Sequence, residues 1–111
     1  MFYHFVFGFK QELLIKLKVS LEQSMLLDFL YKFFDEVGSP YSICRDGEKY
    51  FWVSYSFIVK NLPLIASSVK KVQKMVDDLQ QKNILTKIVR ANRMYIHINT
   101  NKLLFEPDGD T

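Results

Sequence analysis

Residues 20–37, SLEQSMLLDFLYKFFDEV, constrain the fold more than any other part of the chain. Ser20 followed three residues later by Gln23 is a capping-box pattern, and the apolar run behind it predicts a helix over 21–37. Gly38-Ser39-Pro40 then stops it. On a helical wheel the polar arc is narrow, made by Ser24, Asp28, Lys32, Asp35 and Glu36. Leu26, Leu27, Phe29, Leu30, Phe33, Phe34 and Val37 cover most of the remaining circumference. A helix with so wide an apolar face needs cover from two sides, so the flanking sequence must supply it.

Upstream, Phe9, Leu13, Leu14 and Leu17 fall on one face of a shorter amphipathic helix. Downstream, a polar loop containing Arg45-Asp46-Gly47-Glu48 leads to an aromatic strand, Tyr50-Phe51-Trp52-Val53. Ser54 is placed to cap a short helix through Asn61, which Leu62-Pro63-Leu64 ends because the residue before proline is pushed out of the helical region. Ser67 or Ser68 caps the next helix, which runs to about Lys82 with Val69, Val72, Val76 and Leu79 turned inward. Segments 84–89 and 94–98 read as two strands joined by Arg90-Ala91-Asn92-Arg93, with Met94, Ile96 and Ile98 alternating against Tyr95 and His97. Two helices joined by a tight turn and followed by a hairpin give the expected architecture. It is an α+β winged helix-turn-helix with an N-terminal helical extension and a small antiparallel sheet. The expected division is an aromatic segment and short helix over 1–19, the winged-helix domain over 20–105, and an acidic flexible tail over 106–111.

The chain has 111 residues, which suits one domain; 49% apolar and 15% aromatic residues exclude disorder as a description of the whole. The longest uncharged stretch, 50–59, is ten residues, about half of what a membrane-spanning helix needs. The N-terminus lacks a basic leader and a small-residue cleavage site, and the single cysteine, Cys44, cannot form an internal disulfide. A cytoplasmic protein with no membrane partner is expected. The net charge of +3 is unevenly spread. Residues 54–102 carry nine Lys/Arg against only Asp77 and Asp78, whereas 1–53 carry six against seven and the tail adds Glu106, Asp108 and Asp110. A basic block in an otherwise balanced chain points to an anionic partner for that block.

From Tyr50 onward the chain resembles a recurring bacterial domain. The resemblance lies in Tyr50-Phe51-Trp52-Val53-Ser54-Tyr55, Leu62-Pro63-Leu64-Ile65, Ser68, Leu79, Asn83-Ile84-Leu85 and Tyr95, with Val19 to Leu27 similar to the start of the family's first main helix. The family is the winged helix-turn-helix domain at the N-termini of phage and plasmid replication proteins, of the replisome-organiser or initiator type. The resemblance covers roughly residues 13–104. It implies DNA binding in a bacterial host cell or its nucleoid, with a replisome protein or a second copy as further partner. Family members often have glycine where this chain has Asn83, and usually carry further domains.

Within this frame the candidate DNA-binding residues are Ser67, Ser68, Lys70, Lys71, Gln73 and Lys74 on the second helix of the pair, and Arg90 and Arg93 at the wing tip. Lysines on a groove-entering helix neutralise phosphates, and short polar side chains there reach phosphates or base edges. The arginines would meet backbone phosphates or the adjacent minor groove. Tyr50, Trp52, Tyr55 and Tyr95 are expected in the core, between sheet and helices. The residues 2–7 either complete the core or form a partner surface. Enzymatic readings lack parts: His4 and His97 are far apart, Cys44 has no metal-ligand spacing, no glycine-rich phosphate loop occurs, and Asp77-Asp78 point in different directions. No cofactor is implied. The resulting expectation is a domain that binds double-stranded DNA; the alternatives are a protein-interaction or dimerisation module and a small transcriptional regulator.

Overall fold

The first main helix begins as its sequence demands. In the computed structural model, which describes residues 3–99, helix α2 (Leu21–Val37) follows a two-stranded hairpin, β1 (Phe5–Val6) and β2 (Phe9–Lys10), and a short helix α1 (Gln11–Lys16). The Ser20 hydroxyl oxygen accepts from the Gln23 N–H and the Gln23 side-chain oxygen accepts from the Ser20 N–H, both at 3.0 Å. Gly38, with φ at 70°, ends the helix by returning its N–H to the Phe34 carbonyl. Leu26, Leu27 and Leu30 are wholly buried, each contributing ~1.5–3 kcal/mol of transfer free energy. Their cover comes from both directions along the chain. Phe9, Leu14 and Val19 precede them, and Ile58, Val72 and Ile96 follow, in one core. Phe9, Leu14 and Val19 thus pack the segment before residue 20 into the same core as the rest, while Tyr3, Phe5 and Phe7 stay exposed.

The polar loop expected after α2 is structured instead. A 3₁₀ turn (Ser39–Tyr41) leads into β3 (Ser42–Arg45), which pairs antiparallel with β4 (Glu48–Trp52). Asp46 and Gly47, at φ 53° and 81°, form the two-residue turn between them. Both positions need the left-handed region, which is why Asp-Gly suits a tight hairpin. Helix α3 (Tyr55–Asn61) is capped by Ser54, and α4 (Val69–Gln81) by Ser68, whose oxygen accepts from the Lys71 N–H at 3.2 Å. Asn83, at φ 60°, turns the chain out of α4 into β5 (Leu85–Arg90), and a turn at Ala91-Asn92 returns it as β6 (Arg93–Ile98). The strands form one antiparallel sheet in the order β3-β4-β6-β5.

Three expectations change here. Val69 is 44% exposed, and Met75 takes the inward place beside Val72, Val76 and Leu79. Phe9 belongs to a strand rather than to α1, although it is buried. The third correction concerns the aromatic residues. Register pairs Phe51 with Ile96 and Trp52 with Tyr95, and side chains alternate across a strand. Phe51, Val53 and Ile96 therefore face the helices and join the core, while Tyr50, Trp52 and Tyr95 lie on the opposite face. Tyr50 is buried, but by its neighbours on that outer face: its ring lies 5.4 Å from His97 and its strand partner is Ile43. Of the four aromatic residues expected inside, only Tyr55 packs against the helical core.

One side chain fastens α2 to α4. Gln23, 6% exposed, uses its oxygen for the capping box and its amide nitrogen to donate to the Met75 carbonyl at 3.3 Å and the Asp78 carboxylate at 2.9 Å. Replacing it by alanine removes all three bonds at once. The variant Gln23→Ala should lose about 1–3 kcal/mol of unfolding free energy in a urea titration, because a buried side chain loses three hydrogen bonds, one of them to a carboxylate.

Candidate nucleic-acid interface

Helix α4 is amphipathic because Val72, Met75, Val76 and Leu79 recur at helical spacing, and their burial turns Lys70, Gln73 and Lys74 to solvent. Ser67 and Ser68 precede its first turn, where unsatisfied backbone N–H groups and the helix dipole favour an anion. Ser68 spends its oxygen on the cap, leaving its proton as the group it can offer a partner. Lys71 lies 3.6 Å from Glu22 at the start of α2. Lys70 and Lys74 have no carboxylate partner among the described residues.

Asp77 and Asp78, which follow directly, would oppose an anionic partner if they were free. Both are neutralised within the fold. Asp77 pairs with Lys87 of β5 at 2.9 Å, and Asp78 with Lys82 at 2.8 Å. Burial works against the Lys87 ammonium, but hydrogen bonds to Asp77 and to the Tyr55 hydroxyl outweigh it and hold its pKa above the ordinary lysine value. The hydrogen bond from Gln23, and next that from Lys82, holds the Asp78 carboxyl below its usual range. Lys82 also donates to the Lys18 carbonyl at 2.6 Å, tying the end of α4 to the turn before α2. The positive end of the helix surface is thereby left to Lys70 and Lys74.

Arg90 and Arg93 occupy a different place. They are direct cross-strand partners at the tip of the β5-β6 hairpin. Like charges so placed oppose hairpin formation. The Arg93 guanidinium lies back over the Trp52 ring, 4.3 Å from its centroid, on the sheet face turned away from α4. Arg90, opposite Arg93 in register, shares that face. The fold therefore brings Ser67, Ser68, Lys70, Lys71, Gln73 and Lys74 together on α4 and sets the two arginines apart from them. Lys60 on α3 is exposed, whereas Lys87 is consumed by its internal partners.

His97, read as a solvent-facing strand residue, is half-buried. Its Nδ1 donates to the Lys49 carbonyl at 3.1 Å and its Nε2 lies 3.4 Å from Glu48. Among the described residues no group of three His, Cys, Asp or Glu could hold a metal ion, and no helix is long and apolar enough to cross a membrane. The β3-β4 hairpin and the outer sheet face escaped the sequence reading. Asp46-Gly47 between two alternating segments was the signal for the first, and with it the register of β4 would have followed. In comparisons with known proteins, no family model, no curated protein and no solved structure matches the chain.

The depressed pKa of Asp78 fixes the sign of one pH effect. Its folded-state pKa lies below its unfolded value, so the bond network it joins contributes above pH about 4 and is lost as pH falls through the folded pKa. Urea midpoints of the wild type and Asp78→Asn should differ at pH 7, and the difference should shrink as the pH falls below the ordinary carboxylate range; a difference that persists undiminished in acid would place the stabilisation elsewhere.

Proposed function

We propose that the chain is a winged helix-turn-helix domain that binds double-stranded DNA, similar to the N-terminal domain of a phage or plasmid replication protein. The observation that carries this reading is the electrostatic arrangement of α4. Lys70 and Lys74, which have no carboxylate partner among the described residues, stand with Gln73 on its open face, while the neighbouring aspartates are neutralised by internal lysines. The order of elements supports it: α2, β4, α3 and α4 are followed by the β5-β6 hairpin, and β6 lies between β4 and β5. In that architecture α4 enters the major groove. Its lysines supply affinity through phosphates, and Ser67, Ser68 and Gln73 are the side chains placed to read base edges. The reading assigns no catalytic residue and no cofactor.

A second reading, a protein-interaction module, is favoured by a different observation. Phe29 and Phe33 of α2 stack at 6.0 Å, Phe33 lies 4.8 Å from Phe57 of α3, and these rings line a surface groove together with Phe7. The two readings separate in one titration. A duplex of random sequence followed by fluorescence anisotropy across a salt series should show binding that weakens steeply with salt, whereas a docking module should show little binding even at low salt. The double variant Lys70→Ala/Lys74→Ala should bind more weakly and lower the slope of log K against log salt by about 0.9 per lysine, with an unchanged melting curve. Full binding by that variant at low salt would remove α4 from the interface.

A further inference from the structure

The face of the four-stranded sheet turned away from the helices carries two rows of side chains across its strands. Register places Trp52, Tyr95 and Ile88 in one row, and Ile43, Tyr50, His97 and Thr86 in the next. None of these joins the helical core. Trp52 is 37% exposed and Tyr41, stacked beside it at 6.4 Å and 21°, is 49% exposed. Tyr41, Trp52 and Arg93 form a continuous ladder of flat groups along the open surface.

The charges on this face have one sign in excess. Arg45, Arg90 and Arg93 point to it by register, and among the described strand residues the one carboxylate there is Glu48, which lies beside His97. A like-charged pair across a two-residue turn opposes folding, and among the described residues no carboxylate pairs with Arg90. Flat aromatic groups interleaved with guanidinium groups suit a ligand of repeated planar rings joined by anionic links. Paired bases hide their ring faces in the duplex stack, so a duplex cannot use such a platform, but an unpaired strand can. We infer that this outer sheet face binds single-stranded DNA, with bases stacked on Tyr41, Tyr95 and the Trp52–Arg93 pair and phosphates met by Arg90. The platform rests on register and charge; the choice of DNA as the strand rests on the duplex reading of α4.

Trp52 is the only tryptophan in the chain, so its emission reports the site directly. Titrating the full chain at low salt with an oligothymidine of about fifteen nucleotides should quench that emission in a saturable way. With a labelled oligomer followed by anisotropy, Trp52→Ala and Arg93→Ala should each weaken binding at least about tenfold, while Trp52→Phe, which keeps a ring, should stay within about threefold. Lys70→Ala/Lys74→Ala should leave the single-strand titration unchanged, and Trp52→Ala should leave duplex binding unchanged. Loss of duplex binding alone therefore counts against α4 and not against the sheet face. Absence of quenching in the wild type overturns the inference even if Trp52→Ala proves unstable. So does tighter binding of the matching ribo-oligomer, which would make RNA the occupant. A free protein whose dimer, seen by light scattering, is lost in Arg93→Ala would make a second copy the occupant and overturn it equally.

Discussion

The buried amide of Gln23 is the point on which the helical half of the structure depends. Its oxygen completes the cap of α2, and its nitrogen reaches both the backbone of α4 at Met75 and the carboxylate of Asp78. A bond from a buried amide has to be satisfied, so the position of α4 along α2 is fixed to within the reach of one side chain. Apolar burial is non-directional, whereas these bonds demand a defined distance and angle. Lys82 extends the same tie, bonding Asp78 and the Lys18 carbonyl, so that both ends of the connection are held.

That tie also decides what α4 presents to solvent. An aspartate that accepts from Gln23 and Lys82 is no longer a free negative charge, and Asp77 is removed by Lys87 in the same way. The internal lysines do electrostatic work for the external ones. Among the described residues no acid opposes Lys70 and Lys74, because Lys82 and Lys87 have absorbed those beside them. Surface pairs of this kind add little to stability, and their larger effect is on the sign of the potential outside the helix.

The sheet divides the remaining chemistry. Its inner face continues the core through Phe51, Leu85 and Ile96, and its outer face gathers the aromatic rings and arginines. Two surfaces of different character result, a basic helix and a flat aromatic sheet, separated by the thickness of the core. The first suits a phosphate backbone of defined groove geometry, and the second suits exposed ring faces.

Much of the helical half was legible in the sequence. The capping box of Ser20 and Gln23, the stop at Gly38, the caps at Ser54 and Ser68, and the left-handed turn at Asn83 are local, set by residues within a few positions of one another. The solvent-facing lysines of α4 followed from the same kind of periodicity. What tertiary structure alone decided is non-local. That Asp77 is neutralised depends on Lys87 in the following strand, and that Asp78 also accepts from an amide depends on Gln23 far upstream, although its pairing with Lys82, four residues on, is local. The face taken by Tyr50, Trp52 and Tyr95 depends on which of two alternating sets meets the helices, and a shift of one residue in register exchanges them. Aromatic content says that such rings prefer burial; only the pairing of Trp52 with Tyr95 and of Phe51 with Ile96 says which ones obtain it from the helices.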